Sequence, residues 1–276
     1  MTAPSLVLLG NGSDHPGVAQ VSHGIRDGLL EIRPELDVHV AFVDPRSEAT
    51  TEPLRPPTAT QVVNKLVKRG VEEVVFLPLL LSSAFHGPAD LDALVAQLRT
   101  AHPSLRCAVS RPVGPEAQLL AVVDRRLREA LRASRVSELD GLVFAAAGSE
   151  DVRSNSLVSR RARQWATHHK LPCVTAFASG SGPSTAEAVR TLRAQGRRHI
   201  AVGSWFLAPD PTYARQSGRA LEMGAIAVAE PMGPEPEVIE TALARYLVAA
   251  MELVDLDLPE IDDDEEPTPV RHLAAV

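Results

Sequence analysis

The chain repeats itself: three phrases of its first half recur, in the same order, in its second half. The three pairs are LVLLGNGSD at 6–14 with LVFAAAGSED at 142–151, VVFLPLLL at 74–81 with IAVGSWFL at 200–207, and RPVGPE at 111–116 with EPMGPE at 230–235. Chance could supply one such match, but three in one order indicate a duplicated α/β unit. The copies have diverged, because His86 follows the first apolar run and no comparable histidine follows the second. We expect one half to have kept a functional site and the other to have kept the scaffold.

Short runs rich in Val, Leu and Ile alternate with longer amphipathic segments in both halves. This alternation is typical of parallel strands that helices cover on both faces. The strands are predicted at 5–9, 37–42, 73–78, 106–110, 141–146, 173–178, 199–204 and 225–229. The helices are predicted at 17–32, 58–69, 89–101, 116–133, 155–170, 184–195, 213–223 and 236–253. The sequence therefore predicts an α/β fold of two similar lobes, each with a mostly parallel four-stranded sheet flanked by helices.

Two lobes, an insertion and a tail make up the predicted organisation of the chain. The lobes are predicted at 1–134 and 140–254. The proline-rich segment 45–57 has no counterpart in the second half, and it predicts a loop or flap inserted after the second strand. Residues 255–276 are acidic and lack apolar periodicity, which is typical of a disordered tail.

Composition excludes several classes of function. The net charge of -7 argues against a nucleic-acid partner, because phosphate binding needs a stripe of Lys and Arg. The chain begins almost directly with a strand, and no apolar run approaches the roughly 20 residues of a membrane span. These features predict a soluble, cytoplasmic protein with no membrane partner. Cys107 and Cys173 stand beside predicted strands without a metal-binding spacing, so they are interpreted as buried free thiols.

Polar residues follow each predicted strand of the first half. In open α/β folds, ligands bind beyond the carboxyl ends of the strands, so these positions are the candidate site. In chain order the loop residues are Asn11, Gly12 and Ser13, then Asp44, then Ser82, Ser83 and His86, and finally 112–114, which Arg111 precedes.

In combination, these phrases resemble the sirohydrochlorin chelatases, the class II enzymes that insert a divalent metal into a modified porphyrin without ATP. Members open with a strand and then Ala-His-Gly-Ser-Arg-Asp-Pro, they carry an acidic Phe-Leu-Glu phrase, and they have Pro-Leu-Leu-Leu before a His and an Asp. The matching positions here are GNGSDHP at 10–16, FVD at 42–44, PLLL at 78–81 with His86 and Asp90, and RPVG at 111–114 for the family's Arg-Pro-Leu-Gly. The resemblance extends to about residue 251.

The resemblance implies a cleft between the lobes in which His86 and Asp44 handle the metal and the pyrrole protons. Asn11 stands where the family has a metal-facing histidine. An amide oxygen is a weak ligand for a transition metal and takes no proton near neutral pH. His15, in the same loop, is a substitute ligand to be tested. In the second half, Ala147 replaces the first histidine and PDP at 209–211 occupies the region of the second.

The family chemistry also implies what the site binds. The metal substrate is Fe²⁺ or Co²⁺, with Ni²⁺ also compatible, and no nucleotide is needed. Two pyrrole protons leave as the metal enters, which calls for a base of near-neutral pKa, and few ligands allow the metal to be released. Substrate carboxylates are expected to meet Gly12, Ser13, Ser82, Ser83 and Arg111, with backbone N–H groups at the start of the first helix. The chain is expected to act as a monomer, since the duplication supplies two units.

Plainer interpretations stay open for several of these residues. His86 could make a structural hydrogen bond at a helix start, Asp44 could belong to a turn, and Gly12 and Ser13 could form a turn and N-cap. The pair His168 and His169 is interpreted as a solvated helix end. Asn11 also motivates a second hypothesis, a non-catalytic protein that binds a tetrapyrrole or metal as carrier, sensor or partner subunit. A third, a periplasmic-type binding protein, also has two lobes, but the missing signal peptide argues against it.

Overall fold

The computed structural model describes residues 3–11, 15–43, 57–82, 88–180 and 182–255. Within these residues the chain forms two four-stranded sheets, and every strand pair is parallel. The strands and helices of the first half are β1 (Ser5–Asn11), α1 (Pro16–Ile32), β2 (Val38–Val43), α2 (Ala59–Lys68), β3 (Glu73–Pro78), α3 (Pro88–Ala101), β4 (Arg106–Val109), a 3₁₀ turn (Ala117–Leu119) and α4 (Leu120–Ala133).

The second half repeats the same order of elements. They are β5 (Gly141–Gly148), α5 (Val152–His169), β6 (Cys173–Ser179), α6 (Thr185–Ala194), β7 (Ile200–Trp205), α7 (Pro211–Glu222), β8 (Ala227–Val228) and α8 (Pro236–Asp255). The sheet orders are β2-β1-β3-β4 and β6-β5-β7-β8, so the two halves have the same topology. The predicted fold class and the duplication are both confirmed. Of the insertion predicted at 45–57 and the tail predicted at 255–276, residues 45–56 and 256–276 lie outside the described residues.

Side chains along equivalent strands of the two halves alternate in the same way between the inner and the outer face of the sheet. In β1, Leu8 faces the core between the two sheets and Leu9 faces the outer helices. In β5, Phe144 faces inward and Ala145 faces outward in the same way. Both faces of each sheet are buried, which is why these strands are nearly continuous apolar runs.

Sequence-local signals place several helix starts. Thr58 and Gln61 form a capping box at the start of α2, and Ser184 and Glu187 form another at the start of α6. In each box the hydroxyl accepts from the third helical N–H and the longer side chain accepts from the cap residue's own N–H. These bonds satisfy backbone donors that a helix start leaves without partners.

The last helix of each half packs on the sheet of the other half. Helix α4 lies against β7 and β8, and α8 lies against β3 and β4. Apolar residues of both helices, with α1 and α5, join the inner faces of both sheets in one cluster. The lobe division at 134 and 140 stays a prediction. Because α4 and α8 pack on the opposite sheets, each sheet depends on a helix from the other half.

The last helix of each half is thus exchanged onto the other half. Two ion pairs that are related by the repeat stabilise this exchange. Arg126 of α4 donates from Nη2 to Oε1 of Glu235 at 2.6 Å. Arg245 of α8 pairs reciprocally with Glu116, and its Nε donates to the carbonyl of Pro112 at 3.2 Å. Each arginine stands at the same spacing after the glutamate of its own half, yet pairs with the glutamate of the other. Such reciprocity is the mark of an isologous interface, here built within one chain.

Arg245→Gln is expected to lower the free energy of unfolding by about 1–2 kcal/mol, because a charge-assisted hydrogen bond is lost and a half-buried carboxylate loses its partner. The control is Arg132→Gln, at an exposed position of α4 where the described residues form no ion pair. Urea denaturation of the two variants measures the difference. Equal stability of the two would contradict a structural role for the exchanged pair.

None of the described helices combines the length and the apolar character needed to cross a bilayer.

Candidate functional site

A cleft opens at the carboxyl ends of β1, β3, β5 and β7, where the two halves face each other. Its lining is mostly apolar, with a few polar side chains, as is typical of sites for small organic ligands. The described residues that line it are Gly10, Val18, Val21, Ser22, Leu79, Leu80, Leu81, Ser82, Ala146, Ala147, Gly148, Asn155, Val158, Trp205, Phe206, Leu207, Ala208 and Asp210. Both halves therefore contribute to one cleft.

Two of the predicted site residues belong to described segments at this edge. Asn11 is the last residue of β1 and pairs in register with Val43, the last residue of β2. Ser82 follows β3 and lines the cleft. The described strand ends thus bring the chain segments that precede Asp44 and His86 to the same side of the first sheet.

The other predicted site residues divide into two groups. Gly12, Ser13, Asp44, Ser83 and His86 lie outside the described residues, so their roles stay predictions. Arg111 is described, exposed, and absent from the described residues that line the cleft.

The segment that leaves β3 is held by backbone contacts on both sides. The amide of Leu79 donates to the carbonyl of Leu9 at 2.8 Å, and the amide of Gly114 donates to Leu80 at 2.8 Å. The amide of Gly233 donates to Leu207 in the second half at 2.9 Å. The closing phrases of the repeat therefore serve the same purpose in both halves: each fixes the strand exit that borders the cleft.

The N-cap of α1 is not Gly12 or Ser13, which the plainer interpretation of the sequence had suggested. The N-cap is His15, whose Nδ1 accepts from the amide of Gly17 at 3.2 Å. Pro16 has no N–H, so this helix start offers fewer backbone donors to a carboxylate than the sequence suggested. Capping also engages Nδ1, one of the two nitrogens that His15 could give to a metal.

The second half contributes polar residues to the cleft that sequence analysis did not assign to the site. Nδ2 of Asn155 donates to the carbonyl of Ser149 at 2.7 Å, and Oδ1 of Asp210 accepts from the amide of Tyr213 at 2.6 Å. A signal existed for Asp210, since an aspartate between a strand and a helix that begins with proline is typical of an N-cap. Nothing in the sequence indicated which way Asn155 faces.

The interpretation of both terminal histidines of α5 as solvated is wrong for His169. Its Nε2 lies 2.8 Å from Oδ1 of Asp124, and its ring contacts the edge of Trp165. Burial lowers the pKa of His169, and the Asp124 carboxylate opposes that shift. Asp124 belongs to the exchanged helix α4, so the partner comes from the other half of the chain. His168 is exposed.

Both cysteines are free, as predicted, but only Cys107 is buried and Cys173 is half-buried. Neither has the properties of a reactive thiolate. Burial raises the pKa of Cys107 to about 11 and that of Cys173 to about 12. Within the described residues, no group of three or more His, Cys, Asp and Glu side chains could hold a metal ion.

Thiol labelling is expected to be slow in the native protein at pH 8. With a pKa near 11, only about 0.1% of a thiol is the reactive thiolate at that pH. Both cysteines should react rapidly in guanidinium chloride, which serves as the control. A native rate equal to the denatured rate at either position would show that the thiol is exposed and ionised.

Comparisons with known proteins match this architecture. A family model described as CbiX matches residues 5–130 and 141–249 of the chain. Sirohydrochlorin cobaltochelatase from Priestia megaterium is 23% identical over 154 residues, which are 55% of this chain and 50% of that protein. Sirohydrochlorin ferrochelatase from Bacillus subtilis is 26% identical over 85 residues, which are 31% of this chain and 33% of that protein. The matches thus span half or less of these relatives.

A solved structure extends the similarity to most of the chain. SirB from Bacillus subtilis with Fe³⁺ superposes with a TM-score of 0.70 and 18% sequence identity, covering 91% of this chain and 98% of that one. The two proteins share the fold.

Proposed function

Because the chain belongs to the CbiX family, whose model matches both of its halves, we propose that it is a sirohydrochlorin chelatase. It inserts Fe²⁺ or Co²⁺ into sirohydrochlorin or a close relative, without ATP, in siroheme or cobalamin-type biosynthesis. The observation that carries the proposal is this family match, which extends over 5–130 and 141–249. The cobaltochelatase and ferrochelatase names of two relatives support both metals.

The N-terminal half supplies the metal- and proton-handling residues in this proposal. His86 and Asp44 bind the incoming metal, with Asn11 as a third, weak ligand, and they take up the two pyrrole protons as the metal passes from them to the macrocycle. A base positioned near the leaving proton contributes about 10²–10⁴-fold to a proton transfer. Few ligands with open positions allow the metal to pass on, whereas a complete His and Cys cage would retain it.

The described cleft suits a flat macrocycle with polar edges. Its apolar walls come from both halves, including the partly exposed Val18 and Leu80 of the first and Leu207 of the second. Removing these surfaces from water on binding contributes roughly 25 cal/mol per Å² of apolar area. Ser82 at the rim, with Gly12, Ser13 and Ser83, is proposed to meet the substrate carboxylates. Arg111, which is exposed outside the described lining, is proposed to meet those that extend beyond the cleft.

The test is metal insertion into sirohydrochlorin, followed by absorbance under anaerobic conditions with Co²⁺ or Fe²⁺ and no nucleotide. The protein is expected to accelerate the spectral change of insertion over the rate without protein. An absorbance shift on binding without faster insertion would instead indicate a carrier, and would overturn the proposal of catalysis.

A further inference from the structure

Trp205 forms a hydrogen bond between the two halves at the floor of the cleft. Its indole Nε1–H donates to the carbonyl oxygen of Leu81 at 3.2 Å. Both residues are buried, with Trp205 2% and Leu81 8% exposed. No N–H of the described backbone donates to this carbonyl. The indole is therefore its hydrogen-bond partner within the described part of the chain.

This bond completes a set of three that hold the segment leaving β3. Leu79 is held by Leu9, and Leu80 is held by Gly114, both from the first half. Leu81 is held by Trp205, from the half without the proposed metal-handling residues. Ser82 follows at once, and His86 lies a few residues farther along the sequence. Trp205 thus holds the carbonyl of Leu81, a buried residue that precedes the segment carrying the proposed base.

The repeat makes this contact asymmetric. Trp205 occupies the place in IAVGSWFL that Leu79 occupies in VVFLPLLL. Leucine has no donor, so the first half cannot return an equivalent bond to the second. The donor, Trp205, belongs to the second half, and the acceptor, the carbonyl of Leu81, belongs to the first half, which carries the proposed metal-handling residues.

We propose that Trp205 is a positioning residue, contributed by the second half, which holds the Leu81 carbonyl and thereby sets the direction in which the chain leaves β3 toward His86. This inference rests on the proposed chelatase function. Its effect on the reaction is indirect, because the indole is almost completely buried and offers little surface to a ligand.

The chain provides a matched control in Trp165. Both indoles contact Phe144, with ring centroids 5.5 Å away for Trp165 and 5.4 Å for Trp205, and both are 2% exposed. The Nε1 of Trp165 has no hydrogen-bond partner among the described residues. Phenylalanine at either position removes the same atoms from the same core, but only Trp205→Phe removes a hydrogen bond.

The experiment compares Trp205→Phe and Trp165→Phe in steady-state metal insertion and in hydrogen exchange of the peptide spanning residues 79–82. For Trp205→Phe we expect kcat to fall about 10-fold or more, because small displacements of a reacting group cost up to about 100-fold. KM for sirohydrochlorin should change less than kcat does, since Ser82 is one of several proposed substrate contacts. Exchange at 79–82 should be faster than in Trp165→Phe, whose kcat should stay near that of the wild type.

Two results would overturn the inference while leaving the proposed function intact: equal kcat in the two variants, or a KM increase at unchanged kcat in Trp205→Phe. A wild-type protein that inserts no metal would instead overturn the proposed function. In that case the exchange comparison still decides whether Trp205 holds the segment, because equal exchange at 79–82 in both variants would contradict it.

Discussion

His86→Ala is expected to slow metal insertion into sirohydrochlorin by about 100-fold or more, because one group serves as both base and ligand. Alanine offers neither an acceptor nor a metal donor, and Asn11, at the end of β1, cannot accept a proton near neutral pH. The site thus has no second imidazole at the position where the family has one. The measurement is the initial rate of the absorbance change with Co²⁺ at saturating sirohydrochlorin.

His168→Ala is the matched control, since His168 is exposed at the end of α5, away from the described cleft lining. It should insert metal at the wild-type rate. If His86→Ala retained wild-type activity, the assignment of the base and ligand to the first half would be wrong. A parallel loss in both variants would mean that the assay reports on overall integrity.

Gly114→Ala is expected to lower the free energy of unfolding by about 2–3 kcal/mol through overpacking against backbone. An added Cβ would lie 2.5 Å from the carbonyl oxygen of Leu81 and 2.6 Å from its Cα. Backbone cannot rotate away as a side chain can, so the strand exit itself must move. Thermal and urea denaturation measure the loss, and the insertion rate should fall with it.

Gly218→Ala provides the opposite control. Gly218 lies in α7, and a Cβ added there meets no atom within 4 Å. Alanine in an exposed helix is favoured over glycine by about 0.8–1.0 kcal/mol, so this variant should be more stable than the wild type. If Gly114→Ala were as stable as Gly218→Ala, the close approach between Gly114 and Leu81 would not exist in solution.

The fold was largely predictable because its signals are local. The prediction at 73–78 matches β3, and the predicted helix starts lie within a few residues of those observed. The region 116–133, predicted as one helix, instead begins with the 3₁₀ turn Ala117–Leu119 before α4. Alternation and caps act over a few residues, and a single sequence carries that information.

The contacts between the halves were not predictable, because an amphipathic helix face does not identify its partner. Nothing in the sequence of α4 indicates that Arg126 pairs with Glu235, or that Asp124 meets His169. The sequence did not predict His15 as the N-cap of α1, because N-caps usually have a short polar side chain. Here a ring nitrogen of His15 accepts the hydrogen bond instead. The candidate site followed from strand ends and from family resemblance, and five of its eight residues lie outside the described chain: Gly12, Ser13, Asp44, Ser83 and His86.

The most direct test of the central claim is anomalous diffraction from a crystal of the protein soaked with Co²⁺. We expect a cobalt peak in the cleft between the halves, within about 2.5 Å of an imidazole nitrogen of His86 and with Asp44 beside it. A peak at another site, such as the His169 and Asp124 pair, with none near His86, would contradict it.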